Sequence, residues 1–333
     1  MGVVEVAKLA RVSTATVSRV INKTSTVKKS TRIRVLKAIK ELNYHPNVHA
    51  QRLAGTAKRT LGMIVSNLAN PFFQDIFRTL ESSAERRGYE IVVANTDYET
   101  PRLEASIRSM IGQRPAGLAV MVSEINDTFM QQLRDSKVPV VVLGNVRGGH
   151  QVTSININWQ RGTQRVVEYL HSLGHRRMAF VGHHYGLTPL QDRKKAFLET
   201  VKQYSREVEF SVVTDQDSPA GGRQATRKLL ASGFEPTAVV CVNDFMALGV
   251  LRELYNQDLS VPAEISVAGY DNINLSEFCC PSLTTLDIPR EKIGHLTLEA
   301  LVPESDRASI RGLELHIEPE LIIRESTGPV RRK

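Results

Sequence analysis

The sequence predicts an α/β protein in which a small all-helical head precedes a larger body built around two parallel β-sheets. Three observations support this fold class. Residues 1–46 hold three short segments with apolar residues at helical spacing, residues 60–333 alternate apolar runs with helical segments in two successive series, and the excess positive charge lies in the head. The length of 333 residues fits two or three folded units.

The head begins with a predicted helix over residues 3–10, in which four apolar residues recur at helical spacing: Val3, Val6, Leu9 and Ala10. Arg11 and Val12 then form a tight turn. Ser13 is a suitable N-cap for a second helix that runs to about Ile21, whose apolar residues pack back on the first.

A third predicted helix, from about Ser30 to Leu42, completes the head. Its buried side is expected to hold Val35, Leu36, Ile39 and Leu42. Three short helices with a three-residue turn after the first are typical of a helix-turn-helix, in which the second helix can enter the major groove of DNA.

Charge is distributed unevenly along the chain. Residues 1–60 carry 13 Lys and Arg against only two acidic residues, Glu5 and Glu41, so their net charge is +11, and the remainder of the chain carries a net charge of −3. A basic segment on an otherwise near-neutral protein indicates a polyanionic partner, because neutralising phosphates releases condensed counterions. A basic disordered tail is the alternative, and the regular apolar pattern disfavours it.

The second predicted helix presents short polar residues and one arginine on its N-terminal, outward side. The candidate DNA-contacting residues there are Ser13, Thr14, Ala15, Thr16, Ser18, Arg19 and Asn22. Arginine can bond guanine through two hydrogen bonds, methyl groups can meet the thymine methyl, and hydroxyls or amides can bind phosphates and base edges. Helix capping, and a solvated charge at Arg19, are the alternatives for single residues. The flanking basic residues favour DNA: Lys23, Lys28, Lys29 and Arg32.

The segment after Pro46 is a candidate hinge. Residues 47–54 are mostly helix formers, and Leu53 is their one prominent apolar side chain. They are too few to form a stable helix alone in water. An ordinary exposed linker is the alternative.

The body shows two series of apolar strands with helices between them. The first series is 61–65, 91–94, 117–122 and 140–143, and the second is 178–181, 210–213, 238–242 and 265–268. Nearly continuous apolar strands separated by helices predict doubly wound parallel sheets that are covered on both faces. Such sheets bind ligands beyond the carboxyl ends of their strands.

Several motifs together resemble the lactose-repressor family of bacterial regulators. They are the string Val6 to Asn22, Leu42-Asn43-Tyr44-His45-Pro46-Asn47, Asn70-Pro71-Phe72-Phe73, Leu173-Gly174-His175-Arg176-Arg177, Asn243-Asp244, Gly269-Tyr270-Asp271-Asn272 and Glu320 to Thr327. This ordered series covers almost the whole chain. One departure is Arg11, where the family usually has glycine in the turn.

The resemblance implies a domain organisation and a function. The domains are 1–46 for the head, 47–59 for the hinge helix and linker, and 60–333 for a two-lobed, periplasmic-binding-protein-like body, with an N-lobe at about 60–157 and 289–317 and a C-lobe at about 158–286 and 318–333. The chain crosses between lobes near 156–159, 285–289 and 317–320. The implied function is sequence-specific regulation of transcription, most often repression, by a homodimer that binds double-stranded operator DNA and a small carbohydrate or nucleoside-like effector. Leu53 matches the leucine that such hinge helices insert into the minor groove.

The resemblance also implies an effector-binding set: Phe72, Phe73, Arg193, Asn243 and Asp271. Planar arginine, amide and carboxylate groups suit ligands rich in hydroxyls. The alternatives are a core role for Phe72, capping by Asn243 and a turn role for Asp271. Gly144, Gln216 and the pair Asn158-Trp159 depart from the family, which disfavours a flat base held between two aromatic rings. Trp159 is either a replacement stacking face or a hydrophobic anchor.

Other classes of function fit the sequence less well. The enzyme motifs GxGxxG, GxxxxGK[ST], GxSxG and HExxH are missing, and the adjacent pair His183-His184 is interpreted as a bystander. Cys241, Cys279 and Cys280 lack metal-ligand spacing, so neither cofactor nor metal is expected. A transported binding protein is disfavoured because no signal peptide or long apolar run is visible, and we expect a cytoplasmic protein without membrane contact.

Overall fold

The computed structural model describes residues 2–21, 27–44, 59–123, 125–185, 188–204, 207–304 and 309–331. The chain divides into two compact units, Met1–Arg59 and Thr60–Lys333. Asn22 and Leu53, named above as DNA-contacting residues, lie outside the described residues, as does the predicted hinge apart from Arg59. The proposed domain limits therefore stay a prediction.

The first unit contains the three predicted helices: α1 (Val3–Ala10), α2 (Thr14–Ile21) and α3 (Lys29–Glu41). They share one small core that is fully buried and mostly valine and alanine: Val6, Ala7, Ala10, Val17, Val20, Val35 and Ala38. Beta-branched and small side chains allow the short helices to approach closely, so the predicted helix-turn-helix is confirmed.

Two residues expected in this core are exposed instead. Leu9 is 44% exposed and Leu36 is 51% exposed. Leu36 follows the buried Val35 by roughly 100° around the helix, which turns it away from the other helices. Ala38 occupies the inner face instead, because a small residue lets α3 approach α1.

The turn between α1 and α2 is made without glycine. Arg11 adopts the left-handed conformation, with φ 54° and ψ 52°, and its N–H donates to the carbonyl groups of Ala7 and Lys8. At helix C-termini this conformation is usually adopted by glycine, and a residue with a side chain there costs about 1 kcal/mol. Arginine therefore makes the same turn at an energetic cost.

The second unit contains a first six-stranded sheet, in the order β11-β5-β4-β3-β1-β2. Its strands are β1 (Arg59–Val65), β2 (Tyr89–Asn95), β3 (Gly117–Met121), β4 (Val140–Leu143), β5 (Val152–Ile157) and β11 (Glu314–Ile317). Its helices are α4 (Pro71–Arg86), α5 (Thr100–Gly112), α6 (Asp127–Asp135) and α12 (Arg290–Leu301). This sheet and its helices are called the N-lobe below.

A second six-stranded sheet has the order β12-β10-β9-β8-β6-β7. Its strands are β6 (Arg177–His183), β7 (Glu209–Asp215), β8 (Ala238–Cys241), β9 (Ser266–Asp271), β10 (Thr284–Asp287) and β12 (Glu320–Ile322). Its helices are α7 (Trp159–Ser172), α8 (Thr188–Gln203), α9 (Pro219–Ala231), α10 (Asp244–Asn256) and α11 (Leu275–Phe278). The edge strand β12 runs antiparallel to β10, whereas β6 to β10 pair in parallel. This sheet and its helices are called the C-lobe.

Both faces of the sheets are covered, which explains the continuous apolar runs in the sequence. In β1, Leu61 and Met63 belong to one core cluster, and the neighbouring Ile64 belongs to another together with Leu103 and Ile107 of α5. The chain passes between the lobes after β5, after β10 and between β11 and β12. In the part of the chain that the structure describes, no helix has the length and apolarity needed to cross a membrane.

Helices α9 and α10 of the C-lobe pack at glycines. A Cβ atom on Gly249 would lie 1.9 Å from the carbonyl oxygen of Pro219, whereas one on Gly112 would meet nothing within 4 Å. We expect Gly249→Ala to lower the free energy of unfolding by about 1–3 kcal/mol, because the backbones must separate. Gly112→Ala is the matched control and should be neutral or stabilising by up to about 1 kcal/mol. Urea denaturation of both variants checks this, and equal midpoints would contradict the packing argument.

Candidate functional site

Polar side chains gather at the carboxyl ends of the C-lobe strands. His183 ends β6, Asp271 ends β9, and Asn243 follows β8. Because these strands are parallel neighbours, their carboxyl ends meet at one edge of the sheet, where doubly wound folds bind ligands. Arg193 of helix α8, Asn243 and Asp271 lie together in one cleft at this edge, and their role in binding an effector stays a prediction.

Arg193 of α8 is the central cation of this cleft and is only 7% exposed. Its Nη1 donates to the carbonyl oxygen of Val242 at 2.7 Å, and its Cζ lies 3.7 Å from the centroid of the Trp159 ring. Its Nη2 lies 4.0 Å from Oδ1 of Asp271. Three elements of the C-lobe thus converge on one guanidinium group.

Asp271 is buried, with a left-handed backbone at φ 102°. Burial raises the pKa of its carboxyl group to about 7, against the opposing effect of the Arg193 and Arg290 guanidinium groups. Arg290 of α12 donates to the backbone carbonyl of Asp271 and, through Nε, to Oδ2 of Asp75 at 3.0 Å. The N-lobe therefore holds the loop that carries Asp271.

Asn243 caps α10, which was the alternative noted for it. Its Oδ1 accepts from the backbone N–H of Met246 at 2.8 Å, and its Nδ2 donates to Oδ1 of Asp217 at 2.7 Å. Both ends of the amide are therefore engaged within the protein.

Phe72 and Phe73 begin α4 on the N-lobe side. Their rings pack edge to face at 5.2 Å, and the side chain of Asn70 caps the helix before them. They line a cavity of about 50 Å³ that Trp159 and Arg193 also line. Its remaining lining residues are mostly apolar: Met121, Val122, Ser123, Leu143, Gly144 and Ile157. A wider opening of about 530 Å³ shares Ile157 and Trp159 and is lined mainly by polar side chains.

Trp159 contributes to this cavity from the first crossing between the lobes. It is 5% exposed, and one ring face meets the Arg193 guanidinium. Trp159 is thus both a packed residue and part of the cleft wall.

Asp217 is a cleft residue that sequence reasoning missed. It is 4% exposed and accepts from Asn243 of its own lobe and from two N-lobe groups, Asn67 Nδ2 at 3.2 Å and the Tyr98 hydroxyl at 2.5 Å. Its position directly after β7, two residues beyond Asp215, is the sequence signal that could have found it. These bonds join the two lobes across the cleft.

In the head, α2 presents the candidate DNA-contacting residues around its N-terminus. Thr14, Ala15 and Arg19 are exposed, while Val17 and Val20 are buried. Ser13 and Thr16 serve as a cap: Ser13 Oγ accepts from the Thr16 N–H at 3.2 Å and lies 3.0 Å from Thr16 Oγ1. Ser18 is partly buried on the same helix. The exposed face matches the sequence prediction, and capping accounts for two of its members.

A basic helix-turn-helix unit followed by a two-lobed α/β body with a buried polar cleft defines a DNA-binding regulator of the ligand-responsive class. Residues 3–47 match the family model of bacterial regulatory proteins of the lacI family, and residues 167–327 match a periplasmic binding protein-like domain. The chain belongs to the lacI family.

Its relatives are transcriptional repressors. The chain is 33% identical to the HTH-type transcriptional repressor PurR of Vibrio vulnificus, with 98% of each protein covered, and 33% identical to the ribose operon repressor of Escherichia coli, with 97% and 98% covered. A lacI-family regulator from Silicibacter pomeroyi superposes with a TM-score of 0.84 at 26% identity, covering 99% of this chain and all of that one. The lac repressor dimer bound to operator gives a TM-score of 0.76 at 29% identity, covering 98% and 99%.

The raised pKa of Asp271 predicts a pH-dependent stability. The pKa of Asp271 in the folded state, about 7, lies above the value of about 3.9 in the unfolded state. The protonated carboxyl group therefore contributes to the stability of the folded protein at low pH, and this contribution is lost as the pH rises through 7. An asparagine side chain at this position stays neutral at every pH, so Asp271→Asn should gain stability relative to the parent between pH 4 and pH 8. Urea denaturation across this range measures the difference. A difference between Asp271→Asn and the parent that stayed constant across this range would contradict the assignment.

Proposed function

We propose that this protein is a homodimeric repressor that binds operator DNA through α2 and responds to a carbohydrate or nucleoside-like effector bound between the lobes. The observation that carries the proposal is the exposed face of α2, where Thr14, Ala15 and Arg19 point away from a core fixed by Val17 and Val20. A helix held in this way can offer its N-terminal side chains to the major groove. The excess charge of the head supplies the sequence-independent part of the affinity.

The proposed DNA interface comprises Ser13, Thr14, Ala15, Thr16, Ser18 and Arg19, together with Asn22 and Leu53 outside the described residues. Thr14, Ala15 and Arg19 are proposed to read base edges. Ser13 and Thr16, which cap α2, are proposed to place the helix N-terminus near a phosphate, where its N–H groups favour negative charge.

The proposed effector site comprises Phe72, Phe73, Arg193, Asn243 and Asp271, with Trp159 as an additional wall. The lac repressor structure named above is a dimer, and a lacI-family regulator of Enterococcus faecalis holds ribose, at 27% identity and a TM-score of 0.70 over 82% of this chain and all of that one. A cavity of about 50 Å³ is far below the size of ordinary ligand sites, and we propose that the lobes separate to admit an effector between Phe72, Trp159 and Arg193. We propose that the protein acts in the cytoplasm, where its operator lies, without cofactor.

Base reading by Arg19 is tested by selecting half-sites from a randomised DNA pool. Arg19→Ala should relax the preference at one base pair, with a loss of about 1–3 kcal/mol of discrimination, because a bidentate contact is removed. Lys28→Ala is the control and should weaken binding to all DNA sequences alike, since a phosphate contact carries no base information. If the Arg19→Ala variant selected the same half-site as the parent, Arg19 would not be a residue that reads base edges.

The effector site is tested through Trp159, the single tryptophan of the chain. Because its ring contacts Arg193, a ligand in the cleft should change its fluorescence. Arg193→Lys keeps the charge but loses the planar fork of donors, so we expect at least tenfold weaker ligand binding and a lost ligand effect on operator affinity. Operator binding without ligand should stay unchanged. Lys195→Arg, on the same helix and exposed, is the control, and a normal ligand response in Arg193→Lys would mean that the pocket lies elsewhere.

A further inference from the structure

His183 is a buried polar residue for which the folding of the chain supplies no hydrogen-bond partner among the described residues. It ends β6, is 8% exposed, and both Nδ1 and Nε2 are buried without a donor or acceptor. Such groups are costly, because water has been removed and nothing replaces it. A histidine that serves only packing is normally bonded through at least one ring nitrogen.

His183 is flanked by two tyrosine rings, one from each lobe. The rings of Tyr98 and Tyr185 lie 5.8 Å and 5.4 Å from the His183 ring, and these two tyrosines stack on each other at 4.3 Å. Tyr98 comes from the N-lobe and Tyr185 from the C-lobe, so the stack spans the lobes. The Tyr98 hydroxyl donates to Asp217, which fixes the stack over the cleft.

The loop that carries Tyr98 has an unfavourable backbone. Asp97 and Tyr98 both adopt left-handed conformations, with φ of 52° and 62°. Residues other than glycine rarely adopt this conformation, so the surrounding contacts, including the bond from the Tyr98 hydroxyl to Asp217, must hold the loop in place.

The charges around His183 restrict what can bind there. Burial lowers the pKa of His183 to about 4, so the ring is neutral at physiological pH, with one N–H donor and one acceptor nitrogen. The charged groups that act on His183 are Asp217 and Arg193, and the Arg193 cation already meets Val242 and Asp271. A phosphate or carboxylate at the ring would face the carboxyl group of Asp217, whereas a hydroxyl or amide can both donate to and accept from the ring.

We propose that His183 is a ligand-binding residue that makes the cleft selective for uncharged sugars or nucleosides over their phosphate esters, with the Tyr98–Tyr185 stack closing over it. This inference rests on the proposed effector site and extends it to a residue outside the family motifs. It also replaces, for His183, the interpretation of the pair His183-His184 as residues without a functional role.

The test uses the full chain and the fluorescence of Trp159. The probes are D-ribose, D-glucose, adenosine and inosine, each beside its monophosphate ester, and operator binding is measured with each compound. We expect at least one uncharged probe to bind, and its phosphate ester to bind at least tenfold more weakly.

Three variants separate a ligand contact from a structural role. His183→Phe should weaken binding of the uncharged probe about tenfold or more, yet keep or raise the melting temperature, because two buried polar atoms without partners are removed. His183→Gln should retain most of the binding, since its amide also donates and accepts. His184→Phe is the control and should bind as the parent does, since it keeps the ring contact that His184 makes with Tyr185.

The outcomes distinguish this inference from the proposed function. Equal or tighter binding of the phosphate ester, or unchanged affinity in His183→Phe, would overturn the role of His183 and leave the effector site standing. A lower melting temperature in His183→Phe with unchanged affinity would assign the residue to packing. If none of the eight compounds bound the parent or altered its operator affinity, both proposals would fail.

Discussion

The stacking of the Arg193 guanidinium on the Trp159 ring is the contact on which the geometry of the cleft depends. A guanidinium group stays charged in proteins, so its burial requires compensation from every side. The ring face of Trp159, the carbonyl of Val242 and the carboxyl group of Asp271 supply it. Because these groups come from the start of α7, the end of β8 and the end of β9, one side chain fixes three elements that are far apart in sequence.

Around this centre, both polar contacts and apolar packing join the lobes. Asp217 accepts from Asn67 and Tyr98, and Asn145 Nδ2 donates to Asp192 Oδ2 at 3.3 Å. One apolar cluster also runs through both lobes, whereas a second cluster lies on the other face of the N-lobe sheet. Separation of the lobes therefore breaks polar contacts that each contribute little net free energy, and it exposes part of the shared apolar cluster. A ligand that bonds to both lobes would favour the closed arrangement by its difference in affinity between the two states.

Sequence patterns predicted the elements with strong apolar periodicity and missed those without it. The eight strands β1 to β4 and β6 to β9 were found because each contains a run of apolar residues, although β2 and β7 are partly exposed edge strands. Strand β5 is buried throughout but was missed because its sequence mixes polar and apolar residues. Strands β10, β11 and β12 were missed because they are short and lie where the chain crosses between lobes. Leu36 was misplaced because helical periodicity alone does not say which side a neighbouring helix covers.

The cleft shows the same limit for individual side chains. Motifs placed Asn243 and Asp271 at strand ends, where the structure has them, whereas Arg193, expected on a loop after a strand, lies within helix α8. Two partners of Asp217 lie 150 and 119 positions away along the chain, so a local pattern could not reveal them. His183 was passed over because burial, which makes its ring nitrogens significant, is a property of the folded chain.

In the proposed DNA interface, some residues of α2 position the helix on the DNA and others contact the base edges. Ser13 and Thr16 use part of their hydrogen-bonding capacity on each other and on the backbone, which fixes the first turn and directs its N–H groups outward. Contacts from such groups to phosphates orient the helix but carry no base information. The exposed Thr14, Ala15 and Arg19 lie beside this cap, and they are the residues proposed to discriminate between bases. The left-handed turn at Arg11 precedes α2 directly, and the angle at which these side chains meet the groove therefore depends on a backbone conformation that arginine adopts at a cost.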